Sequence, residues 1–550
     1  VNLFALSITL IGLACALAWG EASAQSAIAA SQEAQRRQQE VERLLREQLE
    51  RTPDVHLPRP SQPEPAPPQD GPDTPCFPIH TIALAGDNAP RFAFALDTLS
   101  PRPTPQHPLC LGARGLGTAL QRVQNALVER GFVTTRVLAA QQDLTSGVAT
   151  FTVVAGRVRD LRVQGSDSER ATAWNALPLR PGDLLDLRGI EQGLENFKRL
   201  PTVEADIQIA PSSASTSGPG DSDLLITWAQ PMPWRLSLSL DDSGSRSTGK
   251  YQGTFTFSYD HWLTLNDLFY ASVSSDLGGS IPGDHGTRAR ALHYSVPFGY
   301  WLASLTANAS GYHQSVAGEH HVYIYSGHSS NEDLRLSRVM YRDARRKLSA
   351  HVRAWARASR NHIDDTEVEV QRRRVGGWEL GANHRESFPR ATLDLGWSYR
   401  RGTGAFGSLP APEEGFGEGT SRMGVLSADA QITAPFAAGS QSLVWSTSWR
   451  AQWNRTPLLP QDRFSIGNRY TVRGFDGEMN DPRSSARART ALDTTSLAFL
   501  APHPRRCDAE SQRPRSTRFA HPSRLRLEHP LLQPREIQHP HAAVFHADEP

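Results

Sequence analysis

Apolar residues recur along this chain with different periods, and each period marks a different kind of element. After Trp228 the period is two. In 234–241, Trp234, Leu236, Leu238 and Leu240 fall on one side, and Arg235, Ser237, Ser239 and Asp241 on the other. In 251–260, Tyr251, Phe255, Phe257 and Tyr259 oppose Gln252, Thr254, Thr256 and Ser258. Successive side chains of a strand point to opposite faces, so the pattern predicts strands with one apolar and one polar face. Eleven can be drawn, starting near Trp234, Tyr251, Leu268, Arg288, Trp301, Leu334, Lys347, Arg374, Ala391, Arg422 and Ser442. Their connections alternate. Those at 242–250, 276–287, from His313 onward, 361–373 and 401–421 read as long, and those at 261–267, 297–300, 342–346 and 385–390 as short. Strands of about ten residues with this alternation suit a transmembrane barrel with a wet lumen, whereas a soluble β-sandwich normally has shorter strands.

Upstream, from Cys76 to Trp228, helical and strand periods are mixed. Phe77–Leu84 alternates; Leu116, Leu120, Val123 and Leu127 recur at helical spacing up to Gly131; 132–138 and 148–154 are strand-like. The order then repeats. A strand is predicted at 158–163, a helix at 168–177, a second helix carrying Leu187, Ile190, Leu194 and Phe197, and strands at 203–209 and 223–228. Two similar modules, 76–155 and 156–229, follow one another.

The first 75 residues have no such units. The apolar run Leu3–Trp19 followed by Ala22-Ser23-Ala24 reads as a secretory signal peptide over 1–24. Residues 26–51 hold no Gly or Pro and predict a polar helix with one narrow stripe, Val41, Leu44, Leu45 and Leu49. Such a helix either lies in water or fills a polar cavity. Nine of the 24 residues from 52 to 75 are Pro, which predicts an extended linker able to span roughly 70 Å.

Composition narrows the function. Net charge is +1, which gives no global argument for nucleic acid, and a mean hydropathy of −0.45 is too polar for a bundle of membrane helices. Gly112, Gly115 and Gly117 lack the spacing of a dinucleotide loop and read as turn glycines. Neither Gly-x-Ser-x-Gly nor His-Glu-x-x-His occurs, and the adjacent His320 and His321 beside Glu319 cannot face one point on a strand. No catalytic residue, metal or cofactor is expected. In an exported chain Cys76 and Cys110 are a disulfide candidate, with Cys507 left over.

The segment 462–478 is loop-like and lies after the eleventh strand, with Val472, Arg473, Gly474 and Phe475 at its centre. This tetrapeptide resembles the signature of outer-membrane transporters of the two-partner secretion kind, relatives of the outer-membrane protein insertases. The two modules resemble POTRA domains. The Cys76-Phe77-Pro78-Ile79 opening and Cys110-Leu111-Gly112 resemble the first such domain of haemolysin-activator and contact-dependent-inhibition transporters.

The resemblance implies α+β periplasmic POTRA domains followed by a transmembrane antiparallel β-barrel over 230–478, of sixteen strands in the family and about eleven readable here. It places the motif on the sixth outer loop, folded into the lumen. There the Arg473 guanidinium would pair with a carboxylate. It implies a monomeric pore in outer-membrane lipid whose partner is a secreted exoprotein with an N-terminal secretion domain. Residues 25–51 would be a plug helix. An insertase of the same superfamily and a passive porin are the alternatives; the latter has no use for the two modules.

The last 72 residues depart from this plan. They hold nine Pro, six His and eleven Arg but no Gly, Tyr or Trp, and no sustained alternation. Residues 479–550 therefore read as an aberrant or disordered tail, from a reading-frame change or as a natural basic extension.

Overall fold

The computed structural model describes residues 42–43, 45–50, 53–57, 73–212, 218–245, 247–279, 283–318, 320–439 and 441–464, and the backbone of 489–499. The signal-peptide region, the Val472–Phe475 motif and Cys507 lie outside the described residues.

The first module carries strands β1 (Phe77–Ile79), β2 (Thr81–Gly86), β3 (Leu109–Leu111), β4 (Arg136–Leu138) and β5 (Val148–Val154), with helix α1 (Ala113–Glu129). Its sheet has the order β2-β5-β4, and β1 pairs separately with β3. A 3₁₀ helix, Ala89–Thr98, and α1 bury Phe92, Val123 and Leu127 with Phe151 of β5. Helix α1 begins after Gly112, which has no side chain to cap it. The linker supplies the cap instead: Asp73 accepts from the Gly112 and Gly115 N–H groups, both at 2.8 Å. Those donors, Gly115 first, hold the Asp73 carboxyl below the ordinary aspartate range. A Cβ at Gly112 would come within 2.5 Å of the same carboxylate, so the turn glycine makes room for the cap. Cys110 pairs with Pro78 across β1 and β3, and Cys76 and Cys110 are bridged at a Cα separation of 5.3 Å.

The second module holds β6 (Val158–Gln164), α2 (Leu187–Lys198), β7 (Glu204–Pro211) and β8 (Ser222–Ala229), in sheet order β6-β8-β7. Ile190, Leu194 and Phe197 of α2 pack against Leu224, Ile226 and Trp228. The helix expected at 168–177 does not form; turns occupy this stretch. Its polar groups are bonded to other parts of the chain. Thr172 Oγ1 donates to Thr264 O, and Asn175 Nδ2 to Leu265 O, both at 2.5 Å.

The wall follows as β9 (Trp234–Asp241), β10 (Gln252–Asp260), β11 (Leu268–Asp276), β12 (His285–Phe298), β13 (Trp301–Ala317), β14 (Val322–Arg342), β15 (Arg346–Ile363), the short β16 (Thr366–Glu367), β17 (Arg373–Phe388), β18 (Ala391–Thr403), β19 (Gly424–Ala438), β20 (Gln441–Asn454) and β21 (Arg489–Phe499). Apart from β16, which pairs only with β15, these form one antiparallel path of neighbours from β9 to β21. Leu236, Leu238, Val273, Leu292, Leu305, Leu336 and Trp397 face outward, while Thr256, Ser258, His293, Thr306, Asn308 and Asp333 are buried on the inner side. Each strand from β10 to β20 on this path pairs with a neighbour on both sides, so its main-chain groups are bonded within the sheet, as crossing lipid without a helix requires.

Two parts of the wall differ from the sequence expectation. The connection from His313 is short: β13 and β14 pair continuously from Trp301–Arg338 out to Ala317–Val322, so β14 starts twelve residues before Leu334. Their outer halves carry polar residues on both faces, such as the bonded Ser310 and Ser329. In water neither face need be apolar, so the period-two signal fades although the pairing continues. The second difference is β21, which lies within the region read as tail. It pairs with β20 from Leu443–Phe499 to Gln452–Arg489, across one register shift. Its large apolar residues are only Leu492, Leu497 and Phe499, too few to show a period.

The bridge closes a loop across a sequence separation of 34. In the chain-entropy account, replacing both Cys76 and Cys110 with Ser should destabilise the first module by about 3–4 kcal/mol. Urea unfolding of the full chain in micelles, followed at the module's own amides by hydrogen exchange, reads this loss; an unchanged midpoint refutes it.

Candidate functional site: the barrel lumen

The inner face of the wall is polar because every second residue of its strands is. Against this face lies the N-terminal segment, helical at 42–43 and 45–49. Its residues 42, 46 and 50 stack on one side at i, i+4 spacing. Asn308 Nδ2 donates to Glu42 Oε2 at 2.8 Å. Arg46 Nη2 donates to Thr306 Oγ1 at 3.1 Å and stands 3.7 Å from Asp333 Oδ1. Tyr270 O–H donates to Glu50 Oε1 at 3.4 Å, and His293 Nε2 lies 3.3 Å from the same oxygen. The segment therefore touches four neighbouring strands, β11 to β14. Of its apolar stripe, Leu49 is buried and Leu45 partly so, in the cluster that joins the second module to Leu268 and Tyr270.

Each of these polar contacts has a Glu or Arg side chain as one partner, and hydrogen bonds to charged groups contribute roughly 1.5–3 kcal/mol each. Burying Leu49 adds roughly 2–3 kcal/mol. Among the described residues, side-chain contacts alone tie the segment to the wall, with no disulfide and no strand pairing.

A second cluster fastens the second module to the wall. Glu191 and Glu195 lie four apart on α2, fully and almost fully buried. Two carboxylates so placed repel unless cations meet them. Arg342, at the end of β14, places Nη1 2.9 Å from Glu195 Oε2 and Nε 3.3 Å from Glu191 Oε2. Lys347 of β15 also meets Glu195, and Arg188 lies 2.7 Å from Glu191. The extended residues 53–57 use the remaining lone pairs: Val55 N–H donates to Glu195 and Leu57 N–H to Glu191, both at 3.0 Å. Arg342 Nη2 returns a bond to Val55 O at 2.6 Å. Beside this cluster the buried Arg199 donates to Ser295 Oγ and Asn266 O, each at 2.8 Å, and burial pulls its guanidinium down to about 10. Sequence reading missed the cluster, since α2 was recognised by its apolar positions alone. The i, i+4 glutamates among them were the available signal.

From Asp333 a line of alternating charges continues outward along the inner face. Arg353 Nη2 stands 3.1 Å from Asp333, and Arg353 Nη1 3.6 Å from Glu379. Arg400 Nε lies 2.9 Å from Glu379, and Arg400 Nη1 3.7 Å from Asp462. Arg357 meets Asp462 from the other side at 3.2 Å. Gln452 Nε2 donates to Asp462 O, and Leu458 and Leu459 are buried with Trp355, Met423 and Val425. The start of the 462–478 loop is thus held inside the wall, although the motif residues Val472, Arg473, Gly474 and Phe475 are outside the described residues.

A polar lumen holding a polar helical segment, beside two small α/β modules, is the architecture of a pore. Comparison with protein families agrees with this architecture. Residues 220–500 match the haemolysin secretion/activation protein ShlB/FhaC/HecB, 77–156 a POTRA domain of the ShlB type, and 157–211 a POTRA domain.

The chain belongs to the haemolysin secretion/activation family. Among its relatives, an outer membrane transporter CdiB-2 of Burkholderia pseudomallei is 35% identical over 424 residues, 74% of this chain and 70% of that protein. The hemolysin transporter protein ShlB of Serratia marcescens is 24% identical over 414 residues, 75% of this chain and 71% of that one. Among solved structures, CdiB from Acinetobacter baumannii superposes with a TM-score of 0.70 at 28% identity, covering 85% of this chain and 84% of that one. CdiB from Escherichia coli gives 0.71 at 26%, covering 87% and 85%. In this family's terms the two modules are periplasmic POTRA domains and the wall is an outer-membrane β-barrel. The short turns, where the second POTRA domain docks, mark the periplasmic end.

Arg342 gives a direct test of the seam. Arg342→Ala removes the guanidinium that Glu191 and Glu195 share, leaving Arg188 and Lys347, and breaking a buried pair costs about 3–5 kcal/mol. The urea midpoint of the second POTRA domain in the full chain should fall accordingly, whereas a shift within error would show that Lys347 and Arg188 suffice.

Proposed function

We propose that this chain is the outer-membrane pore of a two-partner secretion system, which recognises one large exoprotein in the periplasm and passes it unfolded to the cell surface. The observation that carries this reading is the N-terminal segment seated in the lumen by polar side-chain contacts. In the proposal, residues 25–51 form the plug of the resting pore and 52–75 the linker that lets it leave. The client, bearing an N-terminal secretion domain, adds as a strand to a POTRA sheet edge: β2 or β4 in the first domain, β6 or β7 in the second. It then enters the lumen as the plug departs. The process involves no catalysis and no nucleotide hydrolysis. The barrel works as a monomer in outer-membrane lipid, with its apolar outer face against the acyl chains. Arg473 pins the loop in the lumen through a bidentate pair with a carboxylate, a role supported by the inward anchoring of Asp462 just before it. The cargo class in this proposal is a haemolysin, an adhesin or a contact-dependent toxin, and the names of the haemolysin transporters among the relatives support the first.

Two measurements test this. Deleting residues 25–51 should raise single-channel conductance in planar bilayers several-fold, and an unchanged conductance removes the plug role. Arg473→Ala should abolish appearance of the partner exoprotein at the cell surface while the barrel still reaches the outer membrane. Undiminished export would show that the motif does not act in transport.

A further inference from the structure

The turn segment that replaces the expected helix at 168–177 contains an anomaly. Its polar residues are clamped to the periplasmic rim of the barrel, yet the tryptophan between them is left outside. Thr172 and Asn175 bond to the turn between β10 and β11, as described above. Asn175 Nδ2 also reaches Pro297 O at 3.2 Å, and Gly299 N–H donates to Asn175 O at 2.7 Å. Asn266 Nδ2 in turn donates to Thr172 O at 2.6 Å and to Asn175 Oδ1 at 2.8 Å. Asn175 and Asn266 are buried, while Trp174 is 64% exposed.

The clamp fixes where that indole can be. Its ring lies 5.9 Å from the ring of Phe298, the last residue of β12. Phe298 pairs with Trp301, and both are exposed. Trp234 opens β9 on the outer face, and Trp262, in the next turn, packs on Phe269 at 4.9 Å. Arg338 sits over Trp301 at 5.0 Å, a cation at the same level. Trp174 therefore continues a band of aromatic side chains on the outer, periplasmic rim of the wall, although it belongs to the POTRA domain. Aromatic girdles mark the depth at which a barrel meets lipid headgroups, because an indole has an apolar body and one polar N–H.

We infer that Trp174 is a membrane anchor of the second POTRA domain, inserted at the headgroup level of the phospholipid leaflet that faces the periplasm. The occupant is lipid because the indole is continuous with the lipid-facing belt of the barrel, a statement that rests on the outer-membrane reading above. The anchor adds a third fastening to the hydrogen-bonded clamp and the Glu191–Glu195 seam, and it fixes the domain's tilt to the membrane plane.

Site-directed spin labelling of the full chain in phospholipid nanodiscs tests this. Labels are placed at Trp174→Cys, at Leu238→Cys on the outer face, and at Arg102→Cys on the exposed first POTRA domain, with Cys507→Ser and Cys15→Ser as background. Collision with oxygen, which enters lipid, is compared with collision with a water-soluble nickel chelate. The expected oxygen-to-nickel ratio at 174 is several-fold above that at 102 and approaches that at 238. A ratio at 174 equal to that at 102, with 238 still oxygen-rich, overturns the anchor and leaves the barrel reading standing. Nickel-dominated ratios at both 174 and 238 overturn the outer-membrane reading and the anchor with it.

Discussion

Two glutamates on one helix hold three separate parts of this chain together. Glu191 and Glu195 are buried, and a buried carboxylate without partners is expensive enough to unfold its surroundings. Their partners come from the linker, from the β14–β15 end of the wall and from α2 itself. None of these parts can move far while the carboxylates stay buried. The seam thereby holds the second POTRA domain and residues 53–57 of the linker against the β14–β15 end of the wall.

The lumen uses charge differently. Along its inner face cations and anions alternate from Arg46 through Asp333, Arg353, Glu379 and Arg400 to Asp462. Each carboxylate there is shared between two guanidiniums, so loss of one partner leaves another in place. The seam carboxylates are likewise each met by two cations, Glu191 by Arg188 and Arg342 and Glu195 by Arg342 and Lys347, but there main-chain N–H groups of the linker join them.

Much of this fold was legible because the wall must be apolar outside and polar inside. The predicted starts at Trp234, Leu268, Trp301 and Ala391 coincide with the observed strands, and the others except Leu334 fall within three residues. The pattern failed where that constraint lapses. Beyond the membrane, the outer halves of β13 and β14 keep only a small apolar cluster, Tyr312, Tyr325 and Val316, among polar residues, and β21 carries too few apolar residues to register. The helix expected at 168–177 failed for another reason: Thr172 and Asn175 make bonds to residues some ninety positions away, which no local period can reveal. The lumenal contacts of Glu42, Arg46 and Glu50 were equally hidden. A polar helix looks alike in sequence whether water or a polar wall surrounds it.

The cap that Asp73 places on α1 has a consequence for timing. It ties the far end of the linker to the first POTRA domain, about twenty residues from the lumenal segment. A segment released from the lumen would stay within reach of it, tethered at an effective concentration in the millimolar range. Its return would be a first-order event, independent of how many copies the cell makes. In the proposed plug cycle, resealing after a client's passage would run at a rate set by the tether length.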